Sequence, residues 1–251
     1  SSDLISKPTF LCLWIKCDLL NSLTDNFFCK MKKLKYIFLL AGALSLASCE
    51  SWLDEDPQYT INTKTQFSTV ENARQALMGC YGYMSADNAY GQAWQEVTFG
   101  YCGFGWSQTN GSSTDLLVSM DGGIDETINT MAWRGMYKVI GETNAFIANI
   151  ADSPLESADK LPMEAAARFL RALAYYNLAV TYGDVPLKTT PSAHDGVAVP
   201  RSPKNEVFEL VRTDWEFAYE NLPEKDDDGF ATKWAAKAYL GKLYHTLGRS
   251  E

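Results

Sequence analysis

The chain has 251 residues, 46% hydrophobic and 13% aromatic, a composition too apolar for a disordered polypeptide. Its 31 acidic and 22 basic residues leave a net charge of −9, which argues against a general nucleic-acid binder, since such a protein needs a basic face to displace counterions. Only two histidines occur, His194 and His245, so a His-rich metal centre and most triad chemistry are disfavoured, and no apolar run reaches the ~18 residues that each span of a polytopic membrane protein needs.

Residues 1–30 carry Cys12, Cys17 and Cys29 and a short apolar run at 10–15, with no sustained period. They read as upstream translated or unstructured sequence, with Met31 as the true start; a cytoplasmic N-terminal tail is the other reading. From Met31 the order changes. Met31-Lys32-Lys33-Leu34-Lys35 is a basic n-region, an apolar stretch of about a dozen residues follows, and small residues close it, the pattern of a secretory signal over 31–48. Leu46-Ala47-Ser48-Cys49 resembles the bacterial lipobox, in which cleavage precedes a cysteine that is then acylated; the alternative is an ordinary cleaved signal with Cys49 free. Two or three acyl chains hold a protein stably on a membrane. Beyond residue 48 the chain has 16 basic and 28 acidic residues, net −12, so the body should stand off anionic headgroups. Residues 49–67, opening Glu50-Ser51-Trp52-Leu53-Asp54-Glu55-Asp56-Pro57, read as an acidic tether. They resemble the surface-export signal of Bacteroidetes lipoproteins, or form a plain solvated linker.

A helical domain is predicted over 68–251. The first helix starts at Ser68, whose spacing to Glu71 is that of a capping box, and presents Val70, Ala73, Leu77 and Tyr81 on one face before fraying near Gly82. Residues 85–111 read as a loop, because Gly91, Gly100, Gly103, Gly105 and Gly111 interrupt them. A second helix covers 128–150, with Met131, Met136, Val139, Ile140, Phe146, Ile147 and Ile150 spread over more than one face, the mark of a buried helix. A third runs over 163–182, with Pro162 at its front and Gly183 at its end, lined by Phe169, Leu170, Leu173, Tyr176, Leu178 and Val180. A fourth covers 204–221 and a fifth 232–247. The second pairs with the third and the fourth with the fifth. Antiparallel pairs with Ala and Gly at the crossings resemble tetratricopeptide-type repeats, made irregular by the long connection over 184–203. No polar capping repeat follows the fifth helix, which suggests a truncated fragment. Cys80 and Cys102 either pair or are both buried thiols.

Several motifs in order are similar to those of the SusD/RagB glycan-binding lipoproteins of Bacteroidetes: the lipobox with Trp52-Leu53-Asp54-Glu55-Asp56-Pro57, Ser113-Thr114-Asp115, Trp133-Arg134-Gly135-Met136-Tyr137 with Asn144, and Arg201-Ser202-Pro203. The most specific is Arg168-Phe169-Leu170-Arg171-Ala172 running into Tyr182-Gly183-Asp184-Val185-Pro186-Leu187. The resemblance covers 46–251. It implies an all-α, irregular TPR-like fold with long aromatic-rich loops, here the N-terminal half of a protein about twice as long. It further implies a non-catalytic, surface-exposed outer-membrane lipoprotein that captures oligosaccharide for a SusC-like TonB-dependent transporter, with no catalytic residue, cofactor, metal or nucleic-acid partner. The alternative is a helical-repeat assembly scaffold that binds no sugar.

The aromatics of 85–111 suit that role on physical grounds. A pyranose ring has an apolar C–H face that lies flat on an aromatic ring, while its hydroxyls bond amides at the rim, and each aromatic supplies large area at low rotamer cost. Trp94, Tyr101 and Trp106 are the candidate platforms and Asn110 a hydrogen-bonding partner; the competing reading places these rings in a core beneath a loop. Asp115 reads as a structural cap, and Arg168 and Arg171 as partners of carboxylates or loop carbonyls. Asp226-Asp227-Asp228-Gly229 reads as a solvated turn, because no Glu follows at the EF-hand position. A glycosidase would need two facing carboxylates, and nothing in the sequence pairs Asp87, Glu96, Asp115, Asp121 or Asp125.

Overall fold

The structure is a computed structural model that describes residues 63–102, 105, 118–120, 127–191 and 199–248. By its contacts the chain divides into Ser1–Thr60 and Ile61–Glu251, and the described residues all belong to the second unit. Cys49, Trp106, Asn110 and Asp115 lie outside the described residues.

A short helical turn, α1 (Thr63–Gln66), leads into α2 (Val70–Ser85). The cap of α2 is Thr69, whose Oγ1 accepts the N–H of Asn72 at 3.2 Å, while Ser68 donates back to the carbonyl of Thr65. The cap therefore falls one residue later than expected and without the reciprocal bond of a capping box, because Ser68 already closes the preceding turn and Asn72 donates its side-chain amide to Thr65. Its buried stripe is Ala73, Leu77, Cys80 and Met84; Val70, at the first helical position, is exposed and Tyr81 half-buried.

The segment after α2, expected as a loop over 85–111, is helical in its described part up to Tyr101; 103–104 and 106–111 lie outside the described residues. A five-residue π-type turn over Asp87–Gly91, broken at Ala89, leads into α3 (Ala93–Tyr101). The glycines do not prevent this helix, since Gly91 precedes it and Gly100 falls at its penultimate position. Ala93, Trp94 and Val97 face inward, a three-to-four residue spacing that sets the helical face.

The long helices α4 (Thr127–Ala151) and α5 (Ser157–Tyr182) form the first hairpin. Lys160 closes it by donating to the carbonyls of Ala151 and Ser153, satisfying the end of α4. α5 begins six residues earlier than predicted. Pro162 sits inside it, near enough to the start that the carbonyl four residues back, on Ala158, lies in the exposed first turn. Gly183, at φ 74°, ends the helix in the left-handed region, as its position in sequence predicts. From Phe169 to Ala179 every residue of α5 is buried, so this helix is enclosed on all sides and carries the core. Val180, assigned to its apolar lining from sequence, points to solvent.

The connection that follows is pinned by a two-residue antiparallel ribbon, β1 (Val185–Pro186) on β2 (Arg201–Ser202), with Val185 opposite Ser202. Then come α6 (Lys204–Asn221) and α7 (Lys233–Thr246). α5 packs on both α4 and α6, and α6 on α7, so the predicted pairs form and α5 joins them. Between α5 and α6 stands a column of rings. Trp215 is enclosed by Phe169, Tyr176 and Tyr239 at centroid distances of 5.2–6.5 Å, and its indole N–H donates to the carbonyl of Phe169.

Candidate functional site

The 86–102 segment is seated on the helical hairpin by backbone contact. Gly135 on α4 lies under the π-type turn so closely that a Cβ there would stand 1.9 Å from the carbonyl oxygen of Asn88. Only glycine allows that approach, which is the physical reason for the Trp-Arg-Gly motif. On the α5 side the buried amide of Asn177 donates to the hydroxyl of Tyr90 at 2.7 Å. Burial pushes the Tyr90 phenol up, so its proton stays on and the hydroxyl keeps its hydrogen-bonding role.

With α3 held this way, its outer face carries Gln92, Gln95, Thr98 and Phe99, all exposed. Phe99 is 65% exposed, a large apolar ring presented to solvent beside neutral polar groups. The Gln95 amide donates to the carbonyl of Tyr90 at 2.7 Å, a bond that leaves its own oxygen as an acceptor, and the Thr98 hydroxyl leans back on the Trp94 carbonyl. Glu96, the nearest carboxylate on the helix, is bonded by Gln92, and Asp87 lies exposed in the turn before it. An apolar ring bordered by amide and hydroxyl groups can hold a flat, uncharged, hydroxyl-rich ligand.

Trp94 occupies a different place from the platform predicted for it. It is 7% exposed and packs in the core, tilted against Tyr90 at 6.4 Å, so it supports α3 from beneath. Tyr101 closes α3. Phe99 carries the exposed ring that the sequence reading passed over. Its signal was available: once Trp94 and Val97 mark the inner face of a helix, Gln95 and Phe99, four residues apart, share the outer one.

The two arginines of α5 bind carboxylates, as predicted. Arg171 meets Asp214 and Asn144, and Arg168 meets Glu164 while its guanidinium lies 4.1 Å from the centre of the Phe217 ring. The Asp226–Asp228 turn is more than a solvated loop. Asp226 accepts the N–H groups of Asp228 and Phe230, and Arg74 on α2 clasps both Asp226 and Asp228, tying the α6–α7 connection to the first long helix. Cys80 and Cys102 are both free; Cys80 is buried and Cys102 exposed, so neither a pair nor two buried thiols describes them. Among the described residues no helix is long and apolar enough to cross a membrane.

A family model for SusD-like proteins, described as "Starch-binding associating with outer membrane", matches residues 51–245. The chain belongs to the SusD-like family. Among curated relatives, SusD-like protein P25 of Formosa agariphila is 26% identical over 223 residues, covering 83% of this chain and 42% of that protein. A SusD-like protein of Bacteroides ovatus is 29% identical over 224 residues, covering 87% and 40%. The chain therefore spans less than half the length of these SusD-like relatives. A SusD superfamily protein from Bacteroides thetaiotaomicron superposes with a TM-score of 0.64 at 24% identity, over 72% of this chain and 43% of its own, and fixes the fold as the all-α, TPR-like one. A laminarin-binding SusD-like protein superposes with a TM-score of 0.62 at 25% identity, covering 72% and 41%. A structure with a xylogluco-oligosaccharide gives 0.58 at 26% identity, covering 67% and 34%. SusD-like proteins are binding proteins by family, and the family is associated with the outer membrane.

Proposed function

We propose that this chain is the glycan-capturing N-terminal portion of an outer-membrane lipoprotein that delivers oligosaccharide to a SusC-like TonB-dependent transporter. The observation that carries the reading is the outer face of α3, where the exposed ring of Phe99 stands between neutral amide and hydroxyl groups on a rigid scaffold. That face suits a pyranose ring, and its one helix carboxylate, Glu96, is already bonded by Gln92. The laminarin-binding and xylogluco-oligosaccharide-containing neighbours support a glycan as the ligand class. Tyr101, Trp106 and Asn110 are proposed as further ring platforms and amide partner for the glycan, and Trp94 supports α3 from beneath. Binding here is not catalytic and needs no cofactor.

Acyl chains on Cys49 moor the protein to the outer membrane at the cell surface. Isothermal titration of the full-length protein against plant and host glycans tests the capture role: binding to a panel member supports it, and silence across the panel favours the scaffold. Palmitate labelling, compared with a Cys49→Ala variant, tests the anchor. Unlabelled protein whose membrane fractionation is indifferent to the substitution overturns it.

A further inference from the structure

The glycan face is aimed from inside the protein. Three groups connect it to the core: Gly135 and Asn177, both buried, and the half-buried Tyr90. Gly135 lets the turn at Asn88–Ala89 sit directly on α4, where a Cβ would meet Asn88 O at 1.9 Å, Asn88 C at 2.4 Å and Ala89 N at 3.0 Å. All three are backbone atoms, so no side chain can swing aside to relieve the contact. Asn177, buried on α5, holds the hydroxyl of Tyr90. Tyr90 in turn receives on its carbonyl the amide of Gln95, which shares its helix face with Phe99. A chain of two hydrogen bonds, Asn177 to Tyr90 and Gln95 to Tyr90, thus links the enclosed central helix to the exposed polar group beside the ring.

From this we infer that Gly135, Asn177 and Tyr90 are positioning residues of the glycan face: they fix the rotation and height of α3, and with them the pose of Gln95 and Phe99. The inference rests on the glycan-capture reading for its consequence in binding, and on the contacts alone for its consequence in local order. Loosening any of the three should free the 87–101 segment while the hairpins stay folded.

The test compares wild type with Tyr90→Phe, which keeps the ring and removes only the hydroxyl, and with Gly135→Ala. Each is titrated with laminari-oligosaccharide and with xylogluco-oligosaccharide, and each is followed by amide hydrogen exchange across the whole chain. Tyr90→Phe is expected to weaken binding about fivefold, the worth of one ordinary hydrogen bond, and Gly135→Ala by about tenfold or more. In both, exchange should rise over 87–101 and stay unchanged in α5 and α6. Wild-type affinity together with wild-type exchange in the variants overturns the inference, as does a rise in exchange spread evenly over all helices. If wild type binds neither probe, the capture reading loses its support and the exchange pattern still decides the positioning claim. If Gly135→Ala does not fold, Tyr90→Phe decides it alone.

Discussion

Arg171 on α5 grips Asp214 on α6 through two parallel hydrogen bonds of 2.8 Å, Nε to Oδ2 and Nη2 to Oδ1. The third arm of the same guanidinium reaches Asn144 on α4 at 2.9 Å, and Asn144 donates onward to the carbonyls of Lys188 and Thr190. One buried cation therefore joins three helices and, through Asn144, the irregular segment that follows β1. Its planar fork suits this task, whereas a lysine ammonium, a single point charge, could not grip the carboxylate with two parallel bonds and reach Asn144 as well. Replacing Asp214 by Ala strands the arginine in the core and should cost about 3–5 kcal/mol, read as a lower Tm in thermal melts. Changing both partners together, Arg171→Met with Asp214→Leu, should cost less than the single change, since no unpaired charge is then buried.

The outer ring of α3 predicts a separation between binding and folding. Phe99→Ala should weaken oligosaccharide binding by about tenfold, the contribution of one stacked ring and its apolar area. Because Phe99 is exposed, the variant should melt within about 1 °C of wild type. Trp94→Ala should instead lower the Tm by several degrees through an open core cavity, a cost of about 3–5 kcal/mol, and weaken binding only through the lost support of α3. Titration and melting of the two variants side by side check both statements.

The clasp between Arg74 and the 226–228 turn gives the fold an acid sensitivity. Burial works to raise the Asp226 carboxyl, but the N–H groups of Phe230 and Asp228 and the Arg74 guanidinium outweigh it, and it titrates below the usual carboxylate range. A carboxyl lowered in the folded state adds stability that is fully present above its unfolded value of about 3.9 and is lost as pH falls through the folded value. Denaturant melts should therefore show Asp226→Asn less stable than wild type at neutral pH, with the difference shrinking below about pH 4.

The two cysteines of the helical unit should react very differently. Burial pushes the Cys80 thiol up to about 12, whereas Cys102 is exposed at the end of α3. At pH 8 iodoacetamide should modify Cys102 and spare Cys80 until denaturant is added, read by peptide mass mapping. Equal labelling of both in the native protein would contradict the buried placement of Cys80.

Tyr81 adds a last check on the clasp. Its hydroxyl accepts the N–H of Ala231 and its ring lies 5.0 Å from Phe230, against which Arg74 also packs. Tyr81→Phe keeps the rings together and leaves one buried N–H unpaired, a loss of about 1–3 kcal/mol. Its Tm should fall, and amide exchange should rise at Ala231 ahead of α7, which begins two residues later.

The sequence alone was enough to name the long helices, their pairing and the family. Their signals are local and repeated: apolar residues at helical spacing, Gly183 where a left-handed residue must stop α5, and two arginines at 168 and 171 that a buried helix can hold only if carboxylates meet them. What tertiary structure alone decided was the character of the 86–102 segment. Its glycines argued for a loop, yet Gly91 precedes a helix and Gly100 sits in its last turn, and burying Trp94 and Val97 against the hairpin outweighs weak local propensity. Which ring faces water followed from that packing, so Phe99 took the exposed place and Trp94 the inner one. Gly135 shows the same division: the motif is visible in one dimension, but the reason for it is a backbone atom nearly fifty positions away, and only the folded chain brings the two together.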